Sequence, residues 1–240
     1  MTDGSGAPAP APSPSPWERV RSRWEFGPVS VGIVAFTVGV WLAHEALITW
    51  AGVNTDLSLQ DNGLAIHGQY WRLFTPMVVH YQIDGFPSFV HLGLNMWALW
   101  QIGPPVEKVI GRWLFGGGYL LSGAGGQVLT DLHYGQGVVS GGASGAVFGV
   151  IGMLIGNYVV TTQLERMGRR SHQQWRFNQR AAKSLGIQGV VWIVATSVLI
   201  PGIDNWAHIG GAVVGLVMGG GVAWQRTRSR PRPTGPTPTL

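Results

Sequence analysis

Apolar runs broken by short polar stretches recur six times along this 240-residue chain. They lie at roughly 29–51, 88–103, 113–130, 143–161, 185–201 and 205–224. Most approach the ~20 residues that a helix needs to cross about 30 Å of hydrocarbon; the second and fifth are short. Both ends have a different character. Residues 1–16 repeat Pro, Ala and Ser, and residues 231–240 read PRPTGPTPTL. Such segments cannot bury a core, which predicts two flexible tails. The first long apolar run begins only near Pro28, so no cleavable leader is expected. The pattern predicts an all-α polytopic membrane protein with six transmembrane helices. Residues 1–27 form a basic tail, 28–224 the helical domain, and 225–240 a second basic, Pro-rich tail.

Composition strengthens the membrane reading. Charged residues are 11% of the chain, against about 25% in soluble domains. The 37 Gly and 12 Trp fit helices that touch closely and anchor at interfaces. No Cys is present, which removes disulfides, a thiol nucleophile and Cys-based metal sites.

The net charge of +5 suggests nucleic acid until its distribution is mapped. Arg19, Arg21 and Arg23 precede the first run, and Lys108 and Arg112 separate the second from the third. Arg166, Arg169, Arg170, Arg176, Arg180 and Lys183 separate the fourth from the fifth; Arg226, Arg228, Arg230 and Arg232 follow the sixth. With six crossings these all fall on one face, and only Arg72 falls on the other. The positive-inside rule makes the basic face cytoplasmic and places both termini there. Asp56, Asp61, Asp84, Asp131 and Asp204 lie on the opposite face. The basic blocks are therefore topology signals with anionic lipid as a secondary partner, and nucleic acid is not expected. An all-inside pattern with no presequence suits a bacterial plasma membrane.

This topology puts Ser144, in Gly142-Ala143-Ser144-Gly145, at the outer start of the fourth run. His208, in Ala207-His208-Ile209-Gly210-Gly211, takes the equivalent place in the sixth. Polar residues inside hydrocarbon are costly and call for a function. A serine needs an adjacent base to become a nucleophile, and histidine can take that proton and later give it to a leaving amine. Glycines around Ser144 admit close backbone approach, and free N–H groups at a helix start can stabilise an oxyanion. Gly145, Gly149 and Gly152 line the fourth run, and Gly211, Gly215 and Gly219 line the sixth. These small faces predict backbone-to-backbone contact. Phe148, one turn after Ser144, can stack on the imidazole. His91 and Asn95, spaced i,i+4, share one face and carry suitable oxyanion donors.

With these residues in view, the chain resembles the rhomboid intramembrane serine proteases. Gly142 to Gly145 match Gly-x-Ser-Gly, and Ala207, His208 and Gly211 match Ala-His-x-x-Gly. His91 and Asn95 match His-x-x-x-Asn; Trp71-Arg72 and Glu107 with Gly111 match two further motifs. The resemblance covers about residues 28–224 in order. It implies Ser144 as nucleophile and His208 as base in a dyad without an acid. It further implies an oxyanion site of His91, Asn95 and the Ser144 N–H, supported by Gly142, Gly145, Phe148 and Gly211. Trp71 and Arg72 would belong to an amphipathic first loop partly in the outer leaflet. Transmembrane proteins would be the substrates, cut on the extracytoplasmic side near helix-weakening segments and small residues. No metal or cofactor is implied. Phe148 stands where Tyr is common, and the segment His80 to His91 is expanded.

Other readings remain at this stage. A rhomboid-like pseudoprotease would bind transmembrane clients without cutting them; an internal repeat that would suggest a transporter is not evident. Ser140 is a rival nucleophile, but Val138 replaces Gly two positions before it. Asp204 could orient His208 as in a triad, although it is expected to face the external loop. His44-Glu45 begins a zinc-protease motif whose second His is replaced by Ile48, so both are read as structural. Glu107 is expected to tie down its own helix end with Lys108 or Arg112. His67, His80 and His133 are read as ordinary polar residues of external loops. Trp97, Trp100 and Trp192 are read as interface anchors or packing.

Overall fold

In a computed structural model, the described residues are 27–83, 85–167 and 202–228, with 15, 18, 184, 187–191 and 195. Five long helices occupy them: α1 (Pro28–Ala51), α2 (Ser88–Ile110), α3 (Arg112–Tyr134), α4 (Ser144–Arg166) and α5 (Asn205–Arg228). Among the described residues there are no strands, only isolated bridges at Asp61–Ser140 and Ile83–Phe86. The protein is all-helical, and α1, α4 and α5 are long and apolar enough to cross a membrane. Of the fifth expected run, residues 187–191 and 195 are helical; the remainder, with Trp192, lies outside the described residues. The same holds for nearly all of both expected tails.

Local chemistry explains where the helices begin and end. Pro28 opens α1 where a missing N–H costs nothing. Its other free donors, Val29 and Ser30 N–H, go to the Glu107 carboxylate of α2 at 3.0 and 2.7 Å. Glu107 thus caps a different helix from the one expected, and its charge sits at the positive end of the α1 dipole. Arg226 of α5 in turn donates to the last carbonyls of α2, Val109 and Ile110. The start of α1, the end of α2 and the end of α5 therefore meet at one end of the bundle.

The second run extends further than its expected limit at 103. Pro104 and Pro105 lie inside α2, which continues to Ile110. Proline normally ends a helix, but a neighbouring helix can compensate at such a break in a membrane bundle. Here Pro104 lies directly beneath Gly27, where even an added Cβ would come within 2.5 Å. The end of α5 likewise reaches Arg228, past the expected boundary at 224.

The contact between α4 and α5 follows their small residues. A Cβ on Gly211 would lie 1.9 Å from the Gly145 carbonyl oxygen, and one on Gly215 would lie 1.9 Å from that of Gly149. Gly219 meets the Met153 carbonyl in the same way at 2.0 Å. The two backbones touch along their length, as the small faces predict.

Between α1 and α2 the chain folds through one helical turn at Asp56–Leu59 and 3₁₀ turns at Ala65–His67, Tyr70–Leu73 and Thr75–Val78. This loop is docked on the bundle. Arg72 is buried and donates to the Gln60 carbonyl, while Trp71 beside it is exposed. Ile66 N–H donates to Asp131 of α3 at 3.1 Å, and Gly142 N–H donates to the Pro76 carbonyl at 2.8 Å.

Candidate active site

Ser144 is the first residue of α4 and His208 lies in the first turn of α5. The glycine contacts bring these helix starts together, and His208 Nε2 lies 2.8 Å from Ser144 Oγ. Phe148, one turn below, stacks on the imidazole with ring centroids 4.0 Å apart and planes 17° apart. The ring is held by packing on one face and by the serine at its edge. Its other nitrogen, Nδ1, is buried without a hydrogen-bond partner.

That observation separates Asp204 from a triad role. Its Oδ1 accepts from the backbone N–H groups of Trp206 and Ala207, both at 3.0 Å. Its Oδ2 accepts from Ser140 Oγ at 2.7 Å and Thr130 Oγ1 at 2.5 Å. Asp204 is the N-cap of α5, and the hydroxyl of Ser140, the rival nucleophile, is committed to it.

On the facing helix α2, His91 and Asn95 border the same cavity as Ser144, Phe148 and His208. Asn95 Nδ2 donates to the His91 carbonyl at 3.0 Å, one turn back along its own helix. That bond uses one of two amide hydrogens and leaves the other. His91 Nδ1 lies 3.2 Å from the Tyr81 carbonyl. A carbonyl can only accept, so Nδ1 carries a proton; donation from Nε2 as well requires the imidazolium.

Gly142 explains why glycine is needed two residues before Ser144. Its φ is +114°, and a Cβ there would come within 2.6 Å of His91 Nε2. Conformation and space both exclude a side chain. Gly145 meets the Ala207 carbonyl, and Gly211 closes against Gly145 one turn below the Ser144–His208 contact.

Two histidines depart from the expectation of external loop residues. His133 lies in the last turn of α3 and stacks on Trp206, with centroids 4.1 Å apart. His80 is 1% exposed and accepts the Ala143 N–H through Nε2 at 3.2 Å. Burial first, and then neighbouring His91, hold its pKa down at about 3, so the ring stays neutral and can accept. His80 thus fixes the backbone immediately before Ser144. The expanded segment between His80 and His91 hid this role, because sequence distance said nothing about where the ring returns. Glu45 accepts from Ser88 Oγ at 3.0 Å, joining α1 to the start of α2.

The Rhomboid domain family matches residues 67–225 of this chain. The chain is 33% identical over 151 residues to Rhomboid-type serine protease 2 of Emericella nidulans, covering 63% of this chain and 26% of that protein. It is 31% identical over 160 residues to Rhomboid protease GluP of Bacillus subtilis, covering 65% of this chain and 27% of that protein. With Rhomboid protease GlpG of Pectobacterium atrosepticum it shares 28% identity over 211 residues, 85% of this chain and 66% of that protein. The aligned part is thus about a quarter of the first two relatives' length. A domain match that takes in both helix starts of the site and the facing α2 shows that this integral membrane protein belongs to the rhomboid family.

Proposed function

We propose that this protein is an intramembrane serine endopeptidase in which Ser144 and His208 form the catalytic dyad. The observation that carries the reading is the 2.8 Å approach of His208 Nε2 to Ser144 Oγ beneath a stacked Phe148. Unprotonated Nε2 takes the hydroxyl proton as Oγ bonds to the substrate carbonyl carbon. The resulting oxyanion faces the Ser144 N–H, Asn95 and His91, and its negative charge favours the imidazolium that His91 needs to donate from Nε2. Collapse of this intermediate breaks the C–N bond, and the His208 proton leaves with the amine. Water, deprotonated by His208, then releases the acyl group and restores Ser144.

The substrates are transmembrane proteins. A membrane helix satisfies its own backbone hydrogen bonds, so the segment must unwind before its carbonyl meets Ser144. Helix-weakening sequences with a small residue at the cut are favoured for that reason. Six spans with both termini in the cytoplasm place the dyad on the extracytoplasmic side. The distribution of basic residues supports that orientation, and the bundle end that joins Glu107, Val29 and Arg226 lies opposite the site. A bacterial plasma membrane fits this pattern.

The test is cleavage of a transmembrane substrate by protein reconstituted in liposomes, with the cut site mapped. Ser144→Ala and His208→Ala lower cleavage to background, a loss on the order of 10⁴-fold or more, whereas Ser140→Ala continues to cut. Full cleavage by Ser144→Ala would sink the assignment. A wild-type protein that binds the substrate yet neither cuts it nor reacts with a serine-directed probe is the pseudoprotease outcome.

A further inference from the structure

The dyad is assembled from two chain segments that are 64 residues apart. Each segment arrives at one carboxylate. Asp204 is four residues before His208, and Ser140 is four residues before Ser144. Oδ1 of Asp204 fixes the start of α5 by accepting from its second and third N–H groups. Oδ2 accepts the Ser140 hydroxyl at 2.7 Å and the Thr130 hydroxyl at 2.5 Å. Ser140 is itself clamped, since its N–H and carbonyl both pair with Asp61 at 2.9 Å. Thr130 belongs to α3, so one side chain joins the base helix, the nucleophile segment and a third helix.

Below the dyad, Gly211 against Gly145 limits how closely α4 and α5 approach. Above it, the Asp204–Ser140 link limits how far they separate or slide. Ser144 and His208 lie between these two constraints. A charged acceptor with four donors holds its geometry more firmly than neutral pairs do. Asp204 directs none of those bonds to the imidazole, whose Nδ1 has no partner.

We propose that Asp204 is a positioning residue that sets the register between the His208 helix and the Ser144 segment through Ser140 and Thr130, without acting on the imidazole directly. This rests on the Ser144–His208 dyad. The cap serves the helix, and the link to two hydroxyls serves the reaction. Loss of the link lets the base drift from the nucleophile while the helix persists.

The experiment follows covalent labelling of the purified full-length protein by a fluorophosphonate probe across probe concentrations. It yields the final labelled fraction, the maximal rate constant and the half-saturating concentration. Asp204→Ala lowers the maximal rate constant by about tenfold or more, because small misplacements of reacting groups are costly, and leaves the half-saturating concentration unchanged. Asp204→Asn, whose amide oxygen still caps and whose NH2 can donate to both hydroxyl oxygens with the direction of the link reversed, returns to within about threefold of wild type. The double variant Thr130→Val with Ser140→Ala keeps the cap and loses the link. It slows labelling about fivefold and decides the matter if Asp204→Ala does not fold.

A purely structural role would lower the labelled fraction and leave the rate constant of the labelled molecules at the wild-type value. That result in Asp204→Ala, or in the double variant, overturns the proposal. Ser144→Ala separates the two readings. If it still labels, the dyad falls and the proposal with it. If it is silent while the link variants label at the wild-type rate, only the role of Asp204 falls.

Discussion

Helices α1 and α4 are both apolar enough to cross a membrane, yet they occupy opposite environments. Of the most apolar 18-residue stretch of each, 6% is buried in α1 and 67% in α4. On α1 the buried residues are Ser30 and Thr37, while Phe36, Leu42 and Trp50 face outward. On α4, glycines meet backbone on α5. In lipid, apolarity does not draw a helix inward, because the surroundings are equally apolar; close-packing small residues do. The proposed dyad sits where α4 packs closely on α5, so that a serine and a histidine are brought together and held.

The largest break in this contrast comes from filling a glycine on each side of it. Gly215→Leu drives a side chain into the Gly149 carbonyl, already 1.9 Å from a bare Cβ, and should cost about 3 kcal/mol or more. Gly39→Leu on α1, with nothing within 4 Å of its Cβ, should stay within about 1 kcal/mol and gain from helix propensity. Unfolding by titration with a denaturing detergent, followed by Trp fluorescence, compares the two.

Next in size is Gly142→Ala, which tests the site separately from the interface. A methyl group within 2.6 Å of His91, on a backbone with φ of +114°, should lower cleavage about 10²-fold. Helix content by circular dichroism should remain that of the wild type.

The polar setting at the start of α4 also predicts a pH response that α1 does not share. Burial first, and then the Asp131 carboxylate, push Asp61 up from 3.8 to about 7. A raised carboxyl pKa favours the protonated folded loop. Its stabilisation is complete below pH 3.8 and is lost as pH rises through about 7. Asp61 pairs with Ser140, so hydrogen exchange, corrected for its intrinsic pH dependence, should quicken around residues 60–66 and 137–143 as pH rises through this range. Residues in the middle of α1 should not respond, and Asp61→Asn should flatten the difference. Persistence of the full response in Asp61→Asn would assign it to another group.

The smallest effect belongs to the stacked ring. Phe148→Ala should slow cleavage by about tenfold at most, since such a contact is worth about 0.5–1.5 kcal/mol. Phe148→Tyr keeps the ring and should remain within about threefold of wild type. Paired cleavage assays on one reconstituted substrate resolve both.

Where information was local, the sequence was legible. Pro28 and Ser144 mark helix starts, and the spacing of Gly211, Gly215 and Gly219 announced the face that meets α4. Phe148, one turn from Ser144, was readable as a stacking partner for the same reason. Residues whose partners lie far along the chain were misread. Glu107 was assigned to its own helix end, and His80 was placed among exposed loop residues. The second run was expected to stop at 103, because nothing nearby revealed that Gly27 packs against Pro104 and that α2 continues to Ile110. Asp204 was visible as an acid four residues before His208, but spacing could not say that its carboxylate turns toward Ser140 and Thr130.

The sequence by itself determined that the chain is helical and suited to a membrane, which residues are candidates for acyl-transfer chemistry, and which faces can touch. Periodicity, charge placement and glycine spacing are local properties, and the chain writes them directly. Only the tertiary structure decided how His208 is held, that His80 fixes the backbone before Ser144, and that Glu107 and Arg226 close the ends of helices other than their own. Those outcomes depend on which hydrogen-bonding groups remain free once the helices pack, and that inventory does not exist until they do.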